Sequence, residues 1–184
     1  IPYWKSCVII IVLLLMQAFC DLSLPSYTSD IIDTGIQNGG ISHTCPEAIT
    51  SDDYTNAMLL MTDSEKDIWN QIYDQDGDIY RLNVKSDKKL SEYDDIFNIP
   101  LIIVSQMSEE DVQKMTMAVS MGMVKQSDID SMRESASEQL NAVGSTMIQS
   151  MGIAYAKKMD SNAGVDMDKL QTSSLWSSGA KMLA

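Results

Sequence analysis

The sequence predicts an α+β fold in three parts: an N-terminal apolar segment, a small antiparallel sheet with a hairpin, and a long α-helical hairpin at the C-terminus. Three observations carry that prediction. Residues 7–20 read CVIIIVLLLMQAFC, in which Gln17 is the one strongly polar side chain. Residues 68–84 hold two β-prone runs around Asp76-Gly77. From Ile129 onward, apolar residues recur at helical spacing as far as Tyr155. The chain has 184 residues, which fits one domain, or one domain with an appendage.

The apolar N-terminus is the strongest of the three signals. A bilayer-spanning helix needs ~20 apolar residues, and a shorter run more often marks a secretory signal, a core helix or an interfacial segment. Lys5 precedes the run, as in the basic start of a signal peptide, and Ala18 and Cys20 place small side chains before a cleavage after Cys20. As an anchor, the same segment would put Tyr3 and Trp4 in the membrane interface and Lys5 on the cytoplasmic side. VIIIVLLL lacks the polar face of a helix packed on a globular core. Residues 1–20 are therefore expected to be a signal peptide or membrane anchor, and residues 21–184 to lie outside the cytoplasm, in the periplasm, at the cell surface or secreted. Cys20 and Cys45 are the candidates for pairing in an oxidising compartment.

Residues 21–106 form an acidic, loop-rich region. Residues 21–111 carry 19 acids against five bases, and this stretch dominates the net charge of −13. Such acidity argues against nucleic acid as a partner, since phosphate binding needs clustered Lys and Arg, and only Arg81 and Arg133 occur. Pro25, Gly35, Gly39, Gly40 and Pro46 punctuate residues 21–57, predicting mostly loop. Two strands are predicted at 68–73 and 79–84, joined through the Asp76-Gly77 turn. Tyr80, Leu82 and Val84 alternate with Arg81 and Asn83, which suits a sheet wet on one face. A third strand is predicted at 99–104, with Pro100 at its start. Asp74, Asp76 and Asp78 invite a calcium reading. A twelve-residue calcium loop with Gly77 at its sixth position, however, would begin at Ile72 and end at Asn83, neither of which is a carboxylate. A solvated hairpin turn accounts for them better.

The helical region, 107–160, begins with Ser108 as N-cap, followed by Glu109, Glu110 and Asp111 in the first turn, where the helix dipole favours acids. Val112, Met115, Val119 and Gly122 line one face. A second helix starts near Ser127, and Ile129, Met132, Ala136, Leu140, Val143, Met147, Met151 and Tyr155 form one stripe along it. A turn near 125–127 makes the pair a hairpin. Gly144 and Gly152 lie two turns apart, and small residues on one face let another helix approach closely. The expected contact surface with a partner is therefore Gly144, Met147, Met151, Gly152 and Tyr155. Methionine supplies 14 residues, most of them at or beyond Met107, and suits adaptable contacts. Residues 161–184 read as a flexible or docking tail in which Leu175 and Trp176 would seek another surface.

Residues 80–104, YRLNVKSDKKLSEYDDIFNIPLIIV, resemble a strand, linker and Ile-Pro-strand stretch of the thioredoxin family. The resemblance implies that Pro100 occupies the family's cis-proline position. The family's C-x-x-C motif is absent: Cys45 is followed three residues on by Ala48.

Chemistry is sparse. His43 is the only histidine, and with Cys45 it supplies two metal ligands where zinc needs three or four. A Cys–His pair is chemically conceivable in ISHTCPE, but nothing marks an acid partner for it. No cofactor is expected. These observations predict a non-enzymatic structural or assembly component of an extracytoplasmic, membrane-associated complex, with other protein subunits or further copies of itself as partners and residues 1–20 at the membrane. The alternative is an exported soluble α+β binding module, thioredoxin-like without its dithiol.

Overall fold

The computed structural model describes residues 4–183, with the side chains of 4–7, 26, 27, 30, 141, 182 and 183 left aside. Tyr3 and the side chains of Trp4, Lys5 and Cys7 therefore lie outside the described residues. The chain is mostly helical, with an N-terminal apolar helix and a small three-stranded antiparallel sheet. It divides into two compact units: residues 1–40 with 168–184, and residues 41–167.

In the first unit, α1 runs Trp4–Asp30 and a π-helical stretch, Ile31–Gln37, follows it. The loop expected from residue 21 onward is thus helical to Gln37. Pro25 sits inside α1, and its side chain, like those from Val8 to Phe19, is exposed. The expected tail is also helical: α8 spans Met167–Leu183. Leu175 of α8 lies against Gly35, where a Cβ would come within 2.5 Å of its Cδ2. At Gly40 (φ +92°) a Cβ would come within 2.7 Å of the Leu170 backbone.

The second unit contains the sheet. Strands β1 (Ala48–Thr50), β2 (Tyr73–Asp76) and β3 (Ile79–Leu82) are ordered β1-β3-β2. Ile49 pairs with Tyr80 and Tyr73 with Leu82. The hairpin turn falls at Gly77 with φ +66°, a left-handed conformation that glycine adopts without strain. Two expected strands are corrected. Residues 63–72 form helix α3 (Asp63–Ile72), and only Tyr73 of the run 68–73 is extended. Thr62 and Glu65 make a reciprocal capping box, with Thr62 N–H donating to Glu65 Oε2 at 2.8 Å. Trp69 and Ile72 are buried at helical spacing from that start. Residues 99–104 lie in helix α4 (Asp87–Gln106), with Pro100 inside it. Leu90, Asp94, Phe97, Leu101 and Val104 are all buried along one face of α4. A mid-helix proline costs ~3 kcal/mol. Each fully buried Leu or Phe contributes ~1.5–3 kcal/mol, so the buried face outweighs the proline. The described residues contain no cis peptide bond, so Pro100 does not take the cis-proline role that the thioredoxin resemblance implied.

Helix α2 (Ser51–Ala57) is capped by Thr50, and α5 (Glu109–Ser120) by Ser108, the cap that the sequence predicts. The single long helix expected from 129 to 155 is two helices, α6 (Gln126–Asn141) and α7 (Ser145–Asn162). Gly144 separates them at φ +95°, ψ +151°, a conformation essentially confined to glycine. The principal core gathers Tyr54, Trp69, Tyr73, Phe97, Leu101 and Met159. Tyr54 stacks on Tyr80 with ring centroids 3.8 Å apart. A smaller core joins Leu59, Leu60, Val104 and Ile129.

Candidate functional site

The buried polar side chains Thr44, Asp94 and Asp160 gather around the segment 41–50. Asp94 reaches this segment from α4, one position in the otherwise apolar row Leu90-Phe97-Leu101. Its Oδ1 accepts the Thr44 N–H and the Thr44 hydroxyl, each at 2.7 Å, and its Oδ2 lies 2.8 Å from His43 Nδ1. Thr44 is fully buried and Asp94 nearly so. An acid that orients a histidine through Nδ1 is the supporting half of a nucleophilic triad. Two neighbouring nucleophiles, Thr44 and Cys45, are otherwise engaged. Thr44 donates its hydroxyl proton to Asp94, and Cys45 is buried, where desolvation and then the charge of Asp94 push its thiol far above its ordinary value. A thiol held protonated is a poor nucleophile. The geometry fastens this segment to α4.

Helix α7 holds the same segment from another side. Gly152 sits against Thr44: a Cβ there would collide with the Thr44 methyl and come within 2.5 Å of Asn98 Oδ1. Eight residues on, Asp160 is fully buried, and its Oδ1 accepts the Ala48 N–H of β1 at 2.9 Å. Its Oδ2 has no hydrogen-bond partner among the described residues. Burial first, and then the charge of Glu47, push the Asp160 carboxyl up to about 7, against the pull of the Ala48 and Glu47 amides. Tyr73 starts β2 beside this group and donates its hydroxyl to Pro46 O at 2.9 Å. Asp94 and Asp160 escape a reading of composition and spacing. Their one sequence signature is an acid at a core-facing helical position.

Two depressions flank α7. An apolar groove of about 430 Å³ is lined by Ile102, Ile103, Met107, Leu140, Val143 and Met151. A broader, polar one of about 690 Å³ includes Asp52, Asp53, Glu109, Tyr155, Lys158 and Asn162. The predicted contact residues are distributed unevenly around these. Met151 is half-buried in the groove wall, and Met147 is exposed. Tyr155 is half-buried against both cores, and burial, then Asp53, push its hydroxyl up to about 12. Gly152 makes a close approach, to its own chain. Gly144 makes none: open space surrounds the position of its Cβ, and its role is the backbone turn.

The calcium candidates do not converge. Asp76 accepts from Arg81 Nε at 3.0 Å and Asp74 from Asn83 Nδ2 at 3.3 Å, while the Asp78 carbonyl accepts from Ser51. Among the described residues no three His, Cys, Asp or Glu side chains gather as a metal site. Cys20 is exposed and Cys45 buried, and both are free. Arg133, which the sequence offers only as one of two arginines, makes a two-pronged ion pair from α6 to Glu65, with Arg133 Nη2 at 2.6 Å from Oε1. Burial alone would raise the Glu65 carboxyl, but the Arg133 and Thr62 hydrogen bonds reverse this and hold it below its ordinary value. Compared with protein-family models, with curated proteins and with solved structures, the chain matches none.

Proposed function

We propose that this protein is a non-enzymatic structural or assembly component of a membrane-associated complex, with the bulk of the chain outside the cytoplasm. One observation carries the reading. The 18 residues Val8–Pro25 have a mean hydropathy of 2.2, and none of this stretch is buried by the rest of the chain. An all-round apolar helix with no protein cover needs another apolar medium. Lipid is the medium its length and composition suit, as an anchor or as the core of an export signal. The C-terminal helices, acting as a hairpin of α5 with α6 and its continuation α7, would supply the protein contacts. Met147 and Val143 are exposed there beside the apolar groove, and Met suits surfaces that adapt to a partner. Protease added to intact cells whose outer barrier has been opened should degrade residues 41–167. Full protection until the cytoplasmic membrane is broken would overturn the proposal.

A further inference from the structure

We propose that Asp160 is a pH-operated latch that holds β1 and the segment 41–50 to α7 when its carboxyl is protonated, and loosens them when it ionises. The side chain is wholly buried near the C-terminal end of α7, and it bridges 112 residues of sequence to reach the Ala48 amide. Oδ1 accepts from that amide, the neighbouring Glu47 amide adds a further pull, and Oδ2 has no hydrogen-bond partner among the described residues. An ionised carboxylate in such a place leaves a desolvated oxygen uncompensated, whereas the neutral acid keeps the Ala48 bond at a far smaller solvation cost.

The groups around it do not supply a counter-charge. From the β1 side it faces Glu47, and from β2 Tyr73, which in turn feels Cys45. Tyr73 and Cys45 are both held protonated by burial. Further out, Tyr54 of α2 acts on Tyr73, and Asp94 of α4, paired with His43 of the segment 41–50, acts on Cys45; Asp53 of α2 accepts from Asn162, two residues beyond Asp160, and Lys157 and Lys158 precede Asp160 on α7 itself. Glu47 adds a negative charge that opposes ionisation. Asp160 also lies in the last turn of α7, where exposed carbonyls disfavour an anion.

Burial, and then the charge of Glu47, push the folded carboxyl from an ordinary 3.8 up to about 7, so the fold favours the protonated acid. Its contribution to stability is complete below 3.8, falls as pH rises towards 7, and is lost above it. The affected contacts are local. The Ala48 bond ties α7 to an edge strand of only three residues, and Thr44 of the same segment lies on Gly152 of the same helix. Acid therefore tightens the join between α7 and the segment 41–50, and mild alkali loosens it.

The test is amide hydrogen exchange at Ala48 in the full chain held in neutral detergent, corrected for the intrinsic pH dependence of exchange. Between pH 5.5 and 8 the protection of Ala48 should fall by roughly tenfold or more, since each whole step of pH between the ordinary and the raised value changes the protonation equilibrium about tenfold. In Asp160→Asn, which keeps an acceptor and cannot ionise, the protection should be flat across that range. Glu47→Gln leaves Asp160 in place and should move the midpoint to lower pH; this second variant decides the matter if the Asn protein does not fold. Flat protection in the native chain, the same fall in Asp160→Asn, or an unmoved midpoint in Glu47→Gln would each overturn the latch.

Discussion

Gly152 and Cys45 show how a few atoms govern the segment 41–50. Gly152 has no room for a Cβ, because Thr44 is pinned from behind by Asp94 and cannot give way. Gly152→Leu should therefore destabilise the protein by ~1–3 kcal/mol, the usual cost of overpacking, seen as a lower thermal midpoint. On an exposed helix face a non-glycine residue would instead raise stability, because glycine costs ~1 kcal/mol there. An unchanged or raised midpoint would refute the contact. Cys45 tests the same packing chemically. At pH 8 a thiol reagent should modify exposed Cys20 and leave Cys45 intact until denaturant is added, read by mass spectrometry of the two peptides. Modification of both at equal rates would show that the segment opens freely.

At the level of elements, Gly144 decides where helix α6 ends and α7 begins. Its φ of +95° is one that L side chains rarely adopt, and nothing crowds its Cβ position. Gly144→Ala should accordingly cost ~1–3 kcal/mol through backbone strain alone, measured by denaturant unfolding. Stability equal to the native chain would mean that the two helices fuse readily. A second joint lies at Arg133, whose guanidinium ties α6 to the Glu65 cap of α3 and to Leu60 O. Arg133→Met keeps the bulk and leaves Glu65 half-buried without its cation. The loss should reach ~3 kcal/mol at neutral pH, since removing one partner of a desolvated pair exposes the other's full cost. That loss should shrink as pH falls through the depressed Glu65 value, because a protonated Glu65 no longer needs the cation. Equal losses at pH 7 and pH 3 would assign Arg133 a packing role only.

For the whole molecule, the proposed assembly role makes the groove beside α7 its contact face. Met147 is 53% exposed, so Met147→Lys should leave folding within ~0.5 kcal/mol of the native chain while lowering recovery of the protein in its complex, measured by cross-linking and sizing of membrane extracts. Intact assembly would remove this face from the interface. His43→Ala provides the complementary control. It should weaken the hold of Asp94 on the segment 41–50 without abolishing a chemical activity, and loss of function in a fully folded, assembled variant would point to catalysis.

The N-terminal apolar helix, the Asp76-Gly77 hairpin and the Ser108 cap were legible from sequence, because each depends on neighbours within a few residues. An unbroken apolar run, a turn dipeptide and a cap followed by acids carry their physics locally. The helical state of 63–72 was also written there, in the Thr62-x-x-Glu65 box, but β-prone Ile68, Trp69 and Tyr73 obscured it. Pro100 misled for a different reason. Its local preference is against a helix interior, and only the burial of Phe97, Leu101 and Val104 on a core contributed by distant segments overrides it. The break at Gly144 was hidden because the apolar stripe continues in register on both sides of it. The Asp94 and Asp160 sites were beyond local reading altogether. Each carboxylate meets its partners 50 to 112 residues away, and the cost of burying a charge exists only once tertiary packing has removed the water.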